Sequence, residues 1–176
     1  MTNEYFGGLD FGSSGARISI IDKSKEIIFE DSCIYNYEFK NPEGWINSCV
    51  KLFDEIPIQI KINLSRLSIS GTSGTLVPCQ SNGVTLGNAI PYNEACTSNS
   101  KKLNLIAGED TFLNNPYSSL AKAIELIETF GEDILLRHQS DWLSGWFLND
   151  WSHGEEGNNV KLGWNIINKS WPESFE

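Results

Sequence analysis

The 176-residue sequence has no apolar run approaching the roughly 20 residues that span a bilayer, and its N-terminus lacks a basic segment followed by a hydrophobic one. It therefore predicts neither a membrane-spanning helix nor a secretory signal, and we expect a cytoplasmic protein. Basic residues are also scarce, because 13 Lys and Arg stand against 23 Asp and Glu, for a formal net charge of -10. That charge balance argues against sequence-independent binding to nucleic acid and against binding to an anionic membrane. An anionic substrate would need a local positive site.

Patterns for metal binding are sparse as well. None of the cysteines has C-x-x-C spacing; they are Cys33, Cys49, Cys79 and Cys96. Only His138 and His153 could join them, so a zinc site is not supported. We expect buried, reduced thiols, and histidines at the surface or at helix ends. With 40 % hydrophobic and 20 % charged residues the chain can bury a core, so we expect one compact domain over residues 1–176.

Alternating apolar residues predict an antiparallel meander at the N-terminus. Three successive strands are expected at residues 5–10, 16–22 and about 26–35, joined by tight turns rich in Gly, Ser, Asp and Lys. This meander would form one side of a sheet.

A helix and a fourth strand are expected next. Asn41 and Pro42 form a helix-start signal, and apolar residues then recur at helical spacing until Pro57. A further strand is expected between Leu64 and Ile69. Strands followed by a helix and another strand indicate an α/β protein with a mixed sheet, whose helix covers one face.

The second half of the chain predicts a hairpin and two helices. Residues 76–79 and 89–92 are expected to form a hairpin around Asn82-Gly83, a strong turn dipeptide. A helix is expected from Ser118 to the glycine signal at Gly131, and another at Asp141 to Phe147.

The first turn of the meander carries the strongest chemical signal. The first strand ends at Asp10, which leads into Phe11-Gly12-Ser13-Ser14-Gly15-Ala16-Arg17. A carboxylate there can hold a hydrated magnesium ion, and small residues let phosphate oxygens approach backbone N–H and hydroxyl groups. Neither G-x-x-x-x-G-K-[ST] nor G-x-G-x-x-G is present. A phosphate-handling turn is one interpretation, and an ordinary hairpin turn is the other.

A similar turn, Ser70-Gly71-Thr72-Ser73-Gly74, follows the fourth strand. If the first and fourth strands are parallel neighbours, both turns lie at the sheet edge where α/β proteins usually bind ligands. The first turn would then act on phosphate and the second on a polyhydroxy substrate. A hydrolase with Ser73 as nucleophile is disfavoured, because the spacing misses G-x-S-x-G by one residue and neither histidine lies in the context of a base.

These segments together resemble the N-terminal domain of the FGGY carbohydrate kinases, whose fold belongs with actin, hexokinase and ribonuclease H. Gly8 to Arg17 resembles the family's first phosphate motif, and Ser70 to Leu76 resembles its sugar-contacting turn. Further matching segments follow in the same order; they are Ala89 to Ala95, Ser118 to Lys122, Asp141 to Leu143 and Asn159 to Trp164. The pentulose-kinase branch, with its ribulose- or xylulose-kinase-like proteins, is the most similar. The resemblance implies an actin-like ATPase or ribonuclease H-like fold.

The resemblance also implies roles for single residues, with ATP and Mg²⁺ as cofactors. Asp10 would organise magnesium through water, Arg17 would add positive charge, and Ser73 would contact the sugar. The implied cofactor-binding residues are Asp10, Gly12, Ser13, Ser14, Gly15 and Arg17. The implied substrate-binding residues are Ser14, Gly15, Thr72, Ser73 and Glu94. The sequence departs from the family where Ser70 and Glu94 stand in place of the usual Asp.

The activity implied is transfer of the γ-phosphate of ATP to a hydroxyl of D-ribulose or D-xylulose. In the family the general-base Asp lies downstream of a W-P segment, here Trp171-Pro172, so the base is expected beyond Glu176. The second, ATP-binding domain would also be absent, and the chain alone would be nearly inactive. We expect Asp133, Asp141 and Asp150 at helix ends and in loops. The alternative is a non-catalytic sugar- or phosphate-binding module, completed by a partner chain or by self-association.

Overall fold

The computed structural model describes residues 4–172, which form two compact units divided between Thr72 and Ser73. The elements of the first unit are β1 (Tyr5–Phe11), β2 (Gly15–Ile21), β3 (Ile27–Ile34), α1 (Pro42–Glu55), α2 (Ile58–Lys61) and β4 (Leu64–Gly71). Their sheet has the order β3-β2-β1-β4. The expected meander is confirmed, since β1 pairs antiparallel with β2 and β2 antiparallel with β3.

The fourth strand lies parallel to the first. In the register of β1 and β4, Asp10 is beside Ser70 and Phe11 is beside Gly71. The sheet is therefore mixed, as expected, and the segments that follow both strands leave from the same edge.

Helix α1 begins and ends where the sequence indicates. The Asn41 side chain accepts a hydrogen bond from the backbone N–H of Glu43 at 2.9 Å, and Pro42 occupies the first turn, where its missing N–H costs nothing. The helix packs on β2 and β3. The fully buried side chains of this unit alternate on the strands and recur on one face of α1; they are Leu9, Phe11, Ile18, Ile20, Trp45, Cys49 and Leu52.

The second unit contains a two-stranded sheet and four helices within the described residues. Its elements are β5 (Leu76–Cys79), α3 (Ser100–Ala107), α4 (Ser119–Phe130), β6 (Leu135–His138), α5 (Gln139–Leu148) and α6 (Glu156–Val160). The expected hairpin from residues 76–79 to 89–92 was only partly right. Strand β5 pairs along its length with β6, while single bridges join Leu76 to Ile90 and Cys79 to Thr85.

Helices α4 and α5 confirm the two expected helices. Ser118 caps α4 by accepting a hydrogen bond from Ala121 N–H at 3.0 Å, and Gly131 follows its last residue. The apolar face of α4 packs with α3 in one core cluster; its buried members are Leu103, Ala107, Leu113, Leu120, Ala121 and Ile124. Within residues 4–172, no helix has the length and apolarity needed to cross a bilayer.

The cysteines are free thiols. Cys33, Cys49 and Cys79 are buried, as expected, while Cys96 is only half-buried. Burial raises the pKa of Cys49 to about 12 and that of Cys79 to about 11. Because the thiolate is the reactive species, these two thiols are chemically quiet at neutral pH.

Candidate functional site

At the carboxyl end of β1, Asp10 lies between Arg17 on β2 and Ser70 on β4 in the sheet register. The Arg17 guanidinium donates to one oxygen of Asp10, Oδ2, from Nη2 at 2.7 Å and from Nε at 3.1 Å. Both side chains are substantially exposed, at 46 % for Asp10 and 74 % for Arg17. The edge of the first unit therefore presents a carboxylate and a guanidinium to solvent side by side.

The turn after Asp10 is held by hydrogen bonds of its own. Gly12 N–H donates to the Gly15 carbonyl at 2.9 Å, and the Tyr35 hydroxyl donates to the Gly12 carbonyl at 2.9 Å. Tyr35 N–H donates to the Ser14 carbonyl at 3.2 Å. Ser13 and Ser14 are exposed. The Gly12 N–H is thus engaged inside the turn, and the two serines are its solvent-facing polar residues.

Gly15 has a structural reason to be glycine. A Cβ added at this position would lie 2.2 Å from the carbonyl oxygen of Cys33 on the paired strand β3. No side chain fits there without moving the backbone of the sheet. The close approach of β2 and β3 therefore requires this glycine, whatever the turn binds.

The edge of the first unit fits magnesium and phosphate chemically. A carboxylate oxygen is a hard ligand of the kind magnesium takes, and this ion usually keeps several waters when bound through one or two carboxylates. Asp10 would hold such an ion, while Arg17, Ser13 and Ser14 would donate to phosphate oxygens. In a chain with a net charge of -10, Arg17 supplies the local positive charge that an anionic ligand needs.

The second unit contains a polar pocket of about 220 Å³. It is built from the segment after β4, the loop before α3, the segment between α3 and α4, the start of α4 and the residue that follows α6. Its lining residues are Ser73, Gly74, Tyr92, Phe112, Asn115, Tyr117, Ser118, Ser119 and Lys161. We call this space the Ser73 pocket. The lining combines hydroxyl, amide and ammonium groups with three aromatic rings, which suits a small polyhydroxy ligand.

Gly74 keeps this pocket open. Its φ of 91° lies in the region that favours glycine, so any side chain here would be strained. A Cβ at Gly74 would stand 3.7 Å from Tyr92 Cβ, 3.8 Å from Ser119 Oγ and 3.9 Å from Lys161 Nζ. These groups therefore converge on one point of the lining.

Two buried polar groups stand behind the Ser73 pocket. His138 Nε2 lies 3.1 Å from Ser119 Oγ, and both residues are buried. The Lys122 ammonium donates to the Tyr117 carbonyl, and burial lowers the pKa of this lysine below its usual value. His138 occupies the N-cap position of α5, in agreement with the expected surface or helix-end position, and strand β6 carries its ring into the interior.

The pocket gathers some of the residues singled out in the sequence. Ser73 lines it, whereas Glu94 is exposed and is not among its lining residues. Thr72, which the family resemblance implied as a substrate-binding residue, is the last residue of the first unit and is not among the lining residues. Sequence reasoning did not single out Tyr92, Tyr117 or Lys161. Tyr92 and Lys161 lie inside segments that resemble the kinase family, which was the signal that could have found them.

A larger groove of about 760 Å³ also lies in the second unit. Its walls are mostly aliphatic, with Lys102 and Glu132 as the charged members; the others are Ile106, Leu120, Ala123, Ile124, Ile127, Leu136, Leu162, Trp171 and Pro172. Few polar groups are present to orient a polyol. The Ser73 pocket, although smaller, is therefore the better candidate for a sugar.

Comparison with known proteins places the fold. No family model matches the chain. Solved structures that it resembles include the xylulose kinase from Rhodospirillum rubrum, with a TM-score of 0.78 and 12 % identity over 96 % of this chain and 40 % of that one. The Plasmodium falciparum glycerol kinase with ADP gives a TM-score of 0.74 and 14 % identity over 97 % and 40 %. The Bifidobacterium adolescentis xylulose kinase gives 0.71 and 13 % over 97 % and 42 %.

These structures confirm the expected fold class. The chain has a mixed α/β fold with a mixed sheet, which matches the actin-like ATPase fold of these sugar kinases. It spans about two fifths of the length of these three structures. At these identities the likeness concerns the fold, and any activity has to be argued from the site.

Proposed function

We propose that this chain is part of an ATP-dependent carbohydrate kinase that transfers the γ-phosphate of ATP to a hydroxyl of a pentulose, D-ribulose or D-xylulose. The observation that carries the proposal is the Asp10–Arg17 pair at the carboxyl end of β1, next to the exposed Ser13 and Ser14. Phosphoryl transfer asks for positioning and charge neutralisation more than for a protein nucleophile. An exposed carboxylate, a guanidinium and two hydroxyls on one sheet edge supply those needs.

Each group at this edge has a role in the proposal. Asp10 would hold magnesium through water, and the bound ion would supply charge neutralisation at the transferred phosphate. Arg17 binds a phosphate oxygen and keeps Asp10 in place through Oδ2. Ser13 and Ser14 donate hydroxyl hydrogen bonds to phosphate or sugar, while Gly12 and Gly15 shape the turn.

The Ser73 pocket is the proposed sugar site. Ser73, Asn115 and Lys161 offer hydrogen-bonding groups to hydroxyls, and the rings of Tyr92 and Tyr117 offer apolar surface to the carbon skeleton. Glu94, carried over from the family resemblance, contacts the sugar from outside this lining. The volume of the Ser73 pocket, about 220 Å³, suits a ligand smaller than a typical drug-sized molecule.

The proposal assigns no general base to residues 4–172. A base must come within hydrogen-bond reach of the attacking hydroxyl. Asp141 is buried and bonded to the backbone of Glu155, and Asp150 bonds to Ser152. The 176-residue chain is therefore expected to bind ligands while turning over little, with the base and the remaining ATP contacts supplied by a second lobe.

Calorimetric titration of the purified chain with Mg·ATP, D-ribulose and D-xylulose tests the proposal, together with an ADP-release assay. We expect heat with Mg·ATP and with at least one pentulose, and little ADP release. Pentulose binding without any response to Mg·ATP would favour the non-catalytic sugar-binding module instead. If none of the three compounds produces heat on titration, both functions are contradicted. Robust ADP release would contradict the claim that a second lobe is needed.

A further inference from the structure

We infer that His138 and Asp141 fix the Ser119 hydroxyl as a hydrogen-bond acceptor toward the Ser73 pocket, so that this wall selects ligand groups that donate. His138 and Asp141 are positioning residues in this inference, and Ser119 is the group that meets the ligand. The nature of that ligand, a polyhydroxy compound, rests on the proposed function. The orientation of Ser119 rests on the structure of the second unit alone.

The three residues form a buried row. Ser119, His138 and Asp141 have exposed fractions of 1 %, 1 % and 6 %. His138 Nε2 is 3.1 Å from Ser119 Oγ, and Nδ1 on the other side of the ring is 3.7 Å from Asp141 Oδ2. Little water is present to screen the Asp141 carboxylate from the nearer ring nitrogen, Nδ1.

The charge on Asp141 decides which ring nitrogen carries the proton. A carboxylate beside Nδ1 favours the tautomer with hydrogen on Nδ1, which leaves Nε2 with a lone pair. Nε2 can then only accept, so Ser119 must donate its single O–H to His138. Only the lone pairs of Ser119 Oγ then remain to bind a ligand in the Ser73 pocket.

A second group near the same point of the lining has the reverse polarity. Lys161 Nζ lies 3.9 Å from the position of a Cβ at Gly74, and Ser119 Oγ lies 3.8 Å from the same point. A lysine ammonium can only donate. A hydroxyl can donate to Ser119 and accept from Lys161, whereas a carbonyl, a fluorine atom or a carboxylate cannot donate to Ser119. The arrangement therefore favours a hydroxyl at this position of the ligand.

The second oxygen of Asp141 makes a sharp test possible. Asp141 Oδ1 accepts hydrogen bonds from Glu155 N–H at 3.0 Å and from Asn158 Nδ2 at 3.4 Å. An asparagine at position 141 would keep its carbonyl oxygen on these donors and turn its NH₂ group toward His138 Nδ1. The proton would then move to Nε2, His138 would donate to Ser119, and the Ser119 O–H would point to the pocket.

Side-chain nitrogen NMR of the unliganded protein measures this directly, because the two neutral tautomers of histidine give different spectra. We expect hydrogen on Nδ1 of His138 in the wild type and on Nε2 in Asp141→Asn. Asp150→Asn is the matched control, since Asp150 faces the exposed His153 at 3.2 Å with the same sequence spacing. Asp150→Asn should leave the His138 signals unchanged. The spectrum of His153→Gln identifies which signals belong to His138. Hydrogen on Nε2, or on both nitrogens, in the wild type overturns the inference.

Titration with D-ribulose, D-xylulose and their monodeoxyfluoro analogues provides the second measurement. At one position, fluorine should weaken wild-type binding by about tenfold, the value of one hydrogen bond, and Asp141→Asn should remove that penalty. Ser119→Ala should also remove it without changing the His138 tautomer, which covers the case in which Asp141→Asn fails to fold. An unchanged fluorine penalty in Ser119→Ala would overturn the inference. If no pentulose binds the wild type, the proposed function fails, and the tautomer alone decides the inference.

Discussion

The ammonium group of Lys122 donates to the backbone carbonyl of Tyr117 from a position that no solvent reaches. Tyr117 lines the Ser73 pocket, so a buried cation supports part of the pocket wall. Burying an amine favours its neutral form, and this desolvation lowers the pKa of Lys122 below its usual value of 10.5.

The buried amine predicts a pH-dependent contribution to stability that Lys122→Met removes. Between the lowered pKa of the folded chain and 10.5, the unfolded chain keeps a proton that the folded chain has released. The Lys122 contribution to the free energy of unfolding should therefore rise as the pH increases through this window. The buried Cys49 and Cys79 thiols, whose pKa values are raised, contribute the opposite slope in both proteins, so the wild-type slope should be more positive than that of Lys122→Met. Urea unfolding at a series of mildly alkaline pH values measures it. Lys102→Met, whose exposed amine binds Glu128 at 2.6 Å, is the control and should keep the wild-type slope. An equal slope in Lys122→Met would contradict the prediction.

Asp10→Asn should separate stability from binding. The ion pair with Arg17 is largely exposed, so its loss should change the free energy of unfolding by no more than about 1 kcal/mol. Loss of the carboxylate should nevertheless weaken Mg·ATP binding by about tenfold or more. Denaturant unfolding and calorimetry measure the two effects. Glu38→Gln, which breaks an exposed pair with Lys40, is the control and should change neither. Unchanged Mg·ATP binding in Asp10→Asn would remove Asp10 from the proposed magnesium site.

Ser118 has a capping role and a place in the pocket lining, and two substitutions distinguish them. Ser118→Ala removes the hydrogen bond to Ala121 N–H and should destabilise the protein by about 1 kcal/mol. Ser118→Asp keeps a good cap, so stability should stay within about 0.5 kcal/mol of the wild type. The new carboxylate must lose water when a sugar fills the pocket, so pentulose binding should weaken by about tenfold. Thermal unfolding and titration check both parts. Wild-type affinity in Ser118→Asp would show that the sugar binds elsewhere.

The cysteines should differ in reactivity in the folded protein. Burial raises the pKa of Cys49 to about 12 and of Cys79 to about 11, and Cys33 is also buried. Cys96 has a raised pKa from burial too, but it is partly exposed. Brief treatment with iodoacetamide at neutral pH should therefore modify Cys96 first. Peptide mass spectrometry locates the label, and unfolding in urea should make all four react. Early modification of Cys49 would mean that the first unit opens readily.

Local signals in the sequence were enough for the four strands and helix α1 of the first unit, while the short helix α2 was not predicted. Alternation of apolar residues with a period of two predicts the strands, and the Asn41-Pro42 start signal predicts the helix. The small-residue turns mark where two of the strands end. Each of these signals depends only on residues that are close together in the sequence. The parallel pairing of β1 with β4 entered the sequence argument only as the condition under which both turns share an edge, and the register that sets Phe11 beside Gly71 meets that condition.

The second unit was less predictable because its sheet is made by distant residues. Strand β6 has four residues, two of them Arg137 and His138, and its partner β5 lies more than fifty positions earlier in the chain. No local pattern marks such a strand. The Ser73 pocket has the same origin, since Tyr92, Tyr117 and Lys161 meet only through this long-range packing.

The close contact of Gly15 with the Cys33 carbonyl bears on how sequences of this kind are compared. A position that the sheet itself restricts to glycine will stay glycine in chains that have lost every ligand, so its identity carries no information about phosphate. Under the proposed function, a sequence pattern that weights Gly15 as heavily as Asp10 would gather chains without the activity together with those that have it. A pattern weighted on Asp10, Arg17 and the lining of the Ser73 pocket would then separate the two groups.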